Sequence, residues 1–535
     1  MDESVNRRIC TLHVEWFSKF PFTTVIKSVI PPQLVKRIVG SLRTRVSWPF
    51  RHRYSPSSPA SLSKESASPS PISSLLSQLD MEEVTLVPRP RNESGWSLFS
   101  WRPTSIEKAV EAEHRLLAQF LNIRFTGSEQ PKAPLPLSLK STSSSYFGCS
   151  KSSTAATVAT EDHVPDPRLP NAELGQVQVG PGHFINTLIL EQAWRREEQG
   201  SVQPIASSVG SFLFRTFHNL AFGAVKDAPV KNLVLTHGYG AGLGFFYKSY
   251  PTFSQIPGYR VFAIDWLGMA NSSRPPFPTM SKQLTEAETV AATEAFFIDS
   301  LEEWRIKMGL EKIVLMGHSM GGYLSSAYAL KYPDRVEKLL LVSPVGVPVQ
   351  PPKEEVKPRT GIFFTLARNM WQMNITPMSI IRTFGPWVPL IHAQSGPSLV
   401  KTYTSRRFEN MDSAEVSLIE SYIYHISAQP GSGEFALARL LSPGAWAFSP
   451  LHNRLCGLKM PVTFIYGNVD WMDFRHAMVT APTIPTNSRV SVIKDAGHHM
   501  YFDNPVGFDN SIIAELSNSP IGPYSVPEVE YVYLK

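Results

Sequence analysis

The sequence predicts an α/β protein: a mostly parallel central sheet with helices on both faces and an inserted helical cap. Three observations carry that expectation. Short apolar runs recur at Asn232–Gly238, Tyr259–Gly268, Lys312–Ser319, Lys338–Gly346, Pro461–Asp470 and Arg489–His499. Helix-like segments, notably Thr285–Leu310 and Gly322–Tyr332, separate several of them. Buried strands alternating with helices make a sheet covered on both sides. Finally, one strand ends near Pro344 and the next begins near Pro461. That interval is too long for a plain crossover, so residues at about 348–458 read as a cap.

Taken in chain order, residues 1–95 stand apart from the rest as a basic, Ser/Pro-rich region, mostly disordered. Their first part is rich in Arg, Ser and aromatics, with few acids after Glu15. That is the character of a mitochondrial presequence. The acidic opening, Asp2 and Glu3, departs from it, and a disordered basic tail is the alternative. Ser55–Ser74 is Ser/Pro low complexity, a composition that cannot build a core. Residues 96–535 read as the folded domain. Trp96–Leu121 predicts a helix capped by Thr104 or Ser105, since Ile106, Ala109, Val110, Leu116, Leu117 and Phe120 lie near helical spacing. A Ser-rich insertion follows at about 138–165. Phe184–Leu190 and Ser211–His218 read as early antiparallel strands.

Composition narrows the partners. A net charge of +6 over 535 residues favours anionic ones. No Lys/Arg run interleaved with aromatics marks a nucleic-acid groove, so a membrane surface is the expected anion and nucleic acid is not a partner. Cys10, Cys149 and Cys456 are odd in number and widely spaced, with no Cys-x-x-Cys pair. Neither a disulfide scaffold nor a metal site is expected, and a reducing compartment is. No apolar run reaches roughly the 18 residues of a transmembrane helix. Within the cap, Gly361–Ile391 is apolar, aromatic and Met-rich, with only Arg368 and Arg382 charged. It reads either as the cap's own core or as a lipid-entry surface that dips into a membrane interface.

The chemistry is expected at the strand ends. An apolar strand runs into Gly317-His318-Ser319-Met320-Gly321-Gly322, with a small-residue helix behind it. A serine there either caps the helix or is thrust out of a tight turn as a nucleophile. A nucleophilic serine needs a base, a carboxylate to orient the base, and donors for a developing oxyanion. His498 follows the turn glycine Gly497 after the last strand and is the candidate base; His499 reads as its neighbour in the wall or at the surface. Asp470, three residues past the glycine of "TFIYG", is the candidate carboxylate, with Asp473 as its rival. The backbone N–H of Met320 and that of Tyr239, in the Gly-rich "THGYGAGLGFF", are the candidate oxyanion donors. No Gly-Lys-Ser/Thr follows that stretch, which argues against a phosphate cradle. Such a triad requires no cofactor.

"WRPTS", "HGYGAGLGFFYKS", "DWLGMANSSRP", "FFIDSLEEWRIKMGLEKIVLMGHSMGGYLSSAYAL", "YIYHISAQPGSGE", "FIYGNVDWMD" and "AGHHMYFDNP" together resemble one subfamily of the α/β-hydrolase fold. It includes fungal mitochondrial cardiolipin-specific deacylases, animal lysophospholipases acting on N-acyl phosphatidylethanolamines, and a lipid-droplet lipase co-activator. The similarity covers Trp96–Phe508 apart from the Ser-rich insertion. The resemblance implies Ser319, Asp470 and His498 as the catalytic set. It also implies a His-x4-Asp pattern, matched by His498 and Asp503, associated with acyl transfer to lysophosphatidic acid. Asp503 could equally cap or pair at the start of the last helix. One departure is "GMANSSRP", which lacks the Gly-x-Gly-x-Ser form of relatives but keeps Ser272, Ser273 and Arg274.

The expected function is therefore a serine acylhydrolase of membrane phospholipids, with a phospholipid or lysophospholipid as substrate and peripheral membrane association. The basic N-terminus tilts the head group towards cardiolipin and the location towards the mitochondrion. The alternatives are a lysophosphatidic acid acyltransferase, and a non-catalytic scaffold in the cytosol or on lipid droplets. The scaffold branch lacks the nucleophilic serine that Ser319 supplies here.

Overall fold

A strand with consecutive apolar residues must be covered on both sides, and the runs Leu233–Leu235, Val261–Ile264, Ile313–Met316 and Leu339–Val342 in the central strands are of that kind. The computed structural model describes residues 104–125, 166, 168–192, 229–278, 284–352, 362–383, 396–409, 411–517 and 529–534. The strands are β1 (Asn122–Phe125), β2 (Asn171–Gln178), β3 (Phe184–Leu190), β4 (Lys231–Thr236) and β5 (Tyr259–Ile264), then β6 (Ile313–His318), β7 (Val336–Val342), β8 (Val462–Gly467), β9 (Ser488–Ile493) and β10 (Val529–Leu534). They form one ten-stranded sheet in the order β1-β2-β3-β5-β4-β6-β7-β8-β9-β10. From β5 to β9 every neighbouring pair is parallel. The β2/β3, β3/β5 and β9/β10 pairs are antiparallel.

The two-residue period of a strand divides the core in two. Val234, Leu315, Leu339, Leu341, Phe464 and Val490 face one layer. Leu233, Leu235, Val314, Met316, Leu340 and Ile465 face the other. Helices α2 (Glu286–Lys307) and α3 (Met320–Lys331) cover the first face, bringing Phe297, Leu301, Trp304, Leu324 and Tyr328. The second face is covered by Tyr247, Tyr250 and Phe253 and by α8 (Pro505–Leu516), which adds Phe508 and Ile512. A capping box starts α2: the Thr285 hydroxyl accepts from Glu288 N, and the Glu288 carboxylate accepts from Thr285 N.

Between β7 and β8 lie α4 (Ile362–Gln372), α5 (Pro377–Thr383), α6 (Gly396–Arg407) and α7 (Ser413–Ser427). They roof the carboxyl ends of the parallel strands, where such sheets place their function. The first described helix, α1 (Ile106–Leu117), packs on α7, and Thr104 Oγ1 lies 2.7 Å from His425 Nδ1. Of the two expected caps for α1, Ser105 is the one that accepts from Lys108 N. No helix among the described residues is long and apolar enough to cross a membrane.

Several elements differ from the sequence expectation. Strands β1, β2 and β10 were not foreseen; β2 carries polar Glu173, Gln176 and Gln178 among its residues, so its apolar signal is diluted. The helical stretch that follows His498 is not continuous. A short turn, Met500–Asp503, stops, and Asn504 caps α8 by accepting from Gly507 N at 2.9 Å. Pro505 has no N–H to continue the earlier turn, which fixes the break there. The expected strand at Ser211–His218, the region 1–95 and the Ser-rich insertion lie outside the described residues, save for Asp166 beyond its end.

Trp304 shows how the first layer is held. Its indole is fully buried, stands edge-on to Phe262 with centroids 5.8 Å apart, and donates Nε1–H to the Thr187 hydroxyl at 3.0 Å. Trp304→Ala is expected to cost about 3–5 kcal/mol, and Trp304→Phe about 1–2 kcal/mol, read from urea unfolding midpoints.

Candidate active site

At the end of β6 the backbone turns into α3 through Ser319, which sits at φ 55°, ψ −118°. A non-glycine residue there is strained by roughly 1–3 kcal/mol, so its surroundings must enforce it. Three backbone bonds do: Ser319 N donates to Val342 O at 2.9 Å, and Tyr323 N and Val345 N donate to Ser319 O, each at 3.2 Å. Close approach does the rest. A Cβ on Gly321 would lie 2.4 Å from His237 O, and a Cβ on Gly238 would lie 2.9 Å from Ser319 Cβ. Only glycines let the end of β4 and the start of α3 touch. The Ser319 side chain makes no cap bond to α3. Its hydroxyl instead lies 3.1 Å from His498 Nε2.

Asp470 stands behind that imidazole. His498 Nδ1 is 3.2 Å from Asp470 Oδ1, whose carboxylate is fully buried. The Ser343 hydroxyl donates to Asp470 Oδ2, and Met472 N donates to Oδ1 at 2.9 Å. Its bond to Nδ1 leaves Nε2 as the imidazole nitrogen that faces Ser319. Asp473 is committed elsewhere: its carboxylate takes Arg475 Nε–H at 2.8 Å and the Arg475 Nη2 at 2.7 Å. The Arg475 bonds hold the Asp473 carboxyl below the usual carboxylate range against the opposing effect of burial. Of the two aspartates only Asp470 bonds the imidazole.

The loop bearing His498 is tied down from two sides. His318 Nε2 lies 2.9 Å from His498 O, and Tyr501 OH lies 3.3 Å from His318 Nδ1. Burial, then the neighbouring His498, push the His318 pKa well below that of a free imidazole. The ring is therefore neutral, and since a carbonyl only accepts, its proton is assigned to Nε2. On the other side, Asp503 Oδ2 accepts Gly497 N at 2.9 Å, and the same carboxylate pairs with Arg407 at the end of α6, at 2.8 Å and 3.1 Å. Asp503 thus pairs rather than caps, and both its oxygens are engaged away from the imidazole of His498. His499 stands in the cavity wall beside Phe245, His318 and Phe502.

Tyr239 and Met320 border the same cavity as Ser319. Met320 opens α3, and a first-turn N–H has no partner inside its own helix. The turn bearing Tyr239 is held by groups that the sequence did not single out. His237 Nε2 accepts from Trp266 N at 3.1 Å, and its Nδ1 donates to Gly238 O at 2.8 Å. Asp265 Oδ1 accepts from Leu243 N at 2.7 Å, while its Oδ2 takes Asn271 N at 3.0 Å and Asn186 Nδ2 at 2.8 Å. The departing loop keeps this network. Ser272 Oγ donates to Asp265 O at 2.7 Å, and Arg274 donates to Ile426 O and Pro430 O of the cap, both at 2.9 Å. Spacing gives no sign of these long-range partners, although the polar run "ANSSR" marks where to look.

Above Ser319 the cavity encloses about 690 Å³. Its walls are mostly apolar, with Trp371, Met378, Leu399 and Ile423 from the cap and Trp471 beside His498. Sheet order, strained serine turn and the Ser319–His498–Asp470 array define the class as an α/β-hydrolase. A family profile described as "alpha/beta hydrolase fold" matches residues 231–370. A probable 1-acylglycerol-3-phosphate O-acyltransferase of Oryza sativa subsp. japonica is 36% identical, over 56% of this chain and 69% of its own length. A (lyso)-N-acylphosphatidylethanolamine lipase of Homo sapiens is 34% identical, over 55% of this chain and 82% of its own. Among solved structures, a bromoperoxidase from Bacillus anthracis is 16% identical, over 64% of this chain and 98% of its own, with a TM-score of 0.41. The chain belongs to the α/β-hydrolase family, in the branch that holds these two lipid-acting relatives.

Gly321→Ala is expected to lower stability by about 1–3 kcal/mol, because neither the β4 backbone nor the turn can yield cheaply. Gly457→Ala, whose Cβ would meet only Leu330 Cδ2 at 3.3 Å, is expected to change it little. Urea midpoints of the two variants check the difference.

Proposed function

We propose that this protein is a serine acylhydrolase acting on acyl esters of membrane glycerophospholipids. One observation carries the reading: a hydroxyl, an imidazole and a buried carboxylate in bonding sequence (3.1 Å, then 3.2 Å) face an apolar cavity of acyl-chain size. The printed name of the human relative, a lipase, agrees with it.

Each group has one task in this reading. Ser319 Oγ attacks the ester carbonyl as its proton passes to His498 Nε2, and Asp470 stabilises the imidazolium without taking the proton. The carbonyl's electron pair moves to oxygen, where the N–H groups of Tyr239 and Met320 hold the charge. Collapse breaks the ester C–O bond, and His498 returns its proton to the leaving lysolipid oxygen. Water, deprotonated by the same imidazole, then frees the fatty acid and restores Ser319. A lysophosphatidic acid hydroxyl in place of water would give phosphatidic acid by the same steps. The printed name of the rice relative favours this second reading. A His498–Asp503 dyad is not needed for either, since Asp503 is bound to Arg407 and Gly497.

Peripheral membrane contact through the apolar cap is part of the proposal, supported by Met373, 70% exposed at the end of α4. The preference for cardiolipin and the mitochondrial location are supported by the basic, Ser/Pro-rich residues 1–95, by the net charge of +6 and by the resemblance to the fungal mitochondrial deacylases.

A fluorophosphonate probe is expected to label the wild type and not Ser319→Ala. Equal labelling of a folded Ser319→Ala would sink the assignment. Asp470→Asn is expected to lower kcat roughly 10⁴-fold, as a misoriented base does elsewhere, whereas Asp473→Asn should lower it far less. Fatty-acid release from cardiolipin, phosphatidylethanolamine and N-acyl phosphatidylethanolamine vesicles ranks the head groups. Labelled lysophosphatidic acid, offered with an acyl donor, separates transfer from hydrolysis.

A further inference from the structure

The cavity above Ser319 is mostly apolar, but four charged side chains line it. Asp470 belongs to the triad. The others are Asp473, paired with Arg475, and Arg407, whose partner Asp503 stands just behind the wall. An acyl chain has no use for guanidinium groups, and placing them beside greasy walls costs desolvation. The question is what they face.

Arg407 and Arg475 are not equivalent. A guanidinium has five N–H donors and presents two edges that can each bind two oxygens in parallel. Asp503 takes the terminal edge of Arg407, with Nη1 on Oδ1 at 2.8 Å and Nη2 on Oδ2 at 3.1 Å. That leaves the lateral edge, Nε–H with the outer Nη2–H. The plane is steadied by Phe408, whose ring centre is 5.3 Å from Cζ. Arg475 spends its lateral edge on Asp473 and is more exposed, 39% against 25% for Arg407. Greater exposure means greater screening of whatever charge it meets.

Position favours Arg407 as well. Asp503, which orients it, also accepts Gly497 N at 2.9 Å, and Gly497 is bonded to His498. The cation is thereby fixed to the turn that carries the base. Its charge is felt at the neighbouring ring: after burial, Arg407 is the next cause of the depressed pKa of His499. In a glycerophospholipid the phosphate sits only a few bonds from the ester being cleaved, so an anion site must lie in the cavity that holds the base, as Arg407 does.

We propose that the lateral edge of Arg407 binds a phosphate oxygen pair of the substrate head group, with Asp503 as the residue that positions it. The site selects phosphate-bearing lipids over neutral acylglycerols. This rests on the acylhydrolase reading above. It also assigns the aspartate of the His-x4-Asp pattern a role in head-group recognition.

The test uses the full chain with lysophosphatidic acid and monoacylglycerol presented in the same detergent. Arg407→Gln is expected to lower kcat/KM for lysophosphatidic acid about ten- to hundredfold more than for monoacylglycerol, through KM. Asp503→Asn should shift the ratio in the same direction by a smaller factor, and Arg407→Lys should restore part of it. Equal losses on both substrates would make Arg407 a structural latch and overturn the proposal, as would a larger selective loss in Arg475→Gln. If Arg407→Gln does not fold, the wild type still decides. Glycerol 3-phosphate should compete with lysophosphatidic acid where glycerol does not. No competition overturns the site, and inorganic phosphate competing as strongly as glycerol 3-phosphate makes it a free-phosphate site and overturns the head-group assignment. Fluorophosphonate labelling of each variant keeps the two readings apart: labelling with no change in ratio defeats only the head-group site, while loss of labelling in the wild type defeats the enzyme.

Discussion

Contact between the end of β4 and the start of α3 is the constraint on which the rest of this molecule depends. Gly238 and Gly321 let two backbones meet where any side chain would collide. The serine between them is forced to positive φ, and its hydroxyl points at an imidazole instead of closing its own helix. Tyr239 and Met320, the chain neighbours of these two glycines, line the same cavity. The conformational strain at Ser319 is balanced by bonds from Ser319 N to Val342 O and from Tyr323 and Val345 to Ser319 O, so the geometry is held by neighbours on both sides.

The sequence revealed those features whose signal is local. The six central strands each carry a mostly apolar run, and the serine turn, the Gly-rich turn at Tyr239 and the His498 turn each follow such a run. Chain order sufficed to pair Ser319 with His498. Asp470 and Asp473 could not be separated so cleanly, because both follow the same strand within three residues. What separates them is Arg475, which claims Asp473, and Ser343, which donates to Asp470 from a different loop. That information is spatial.

Other features were hidden for related reasons. β1 and β2 lie at the edge of the sheet, carry polar residues, and lack the continuous apolar stretch of a central strand. β10 returns antiparallel against β9 after a stretch with no periodic pattern. Buried polar groups were the least legible. Asp265 holds three donors from separate segments, and His318 is a silent member of the serine motif whose task appears only when its ring is seen against the His498 carbonyl. Such residues look like ordinary motif filler or loop polarity until their partners, dozens to hundreds of residues away, are placed beside them.

The bracing of the cap by α1 bears on where this domain can be cut. Glu113 of α1 accepts from Asn186 Nδ2 at 3.0 Å and 3.2 Å, and Thr104 reaches His425. Residues far upstream of the serine turn therefore belong to the same cooperative unit as the roof over it. The stretch matched by the family profile, 231–370, contains the hydroxyl but neither its base nor its carboxylate, and it omits the helix that props the roof. A fragment trimmed to those limits would expose the flank of β5 where β3 pairs and would lose α7 together with the helix that braces it. A form of this domain that keeps both of these contacts begins no later than Thr104.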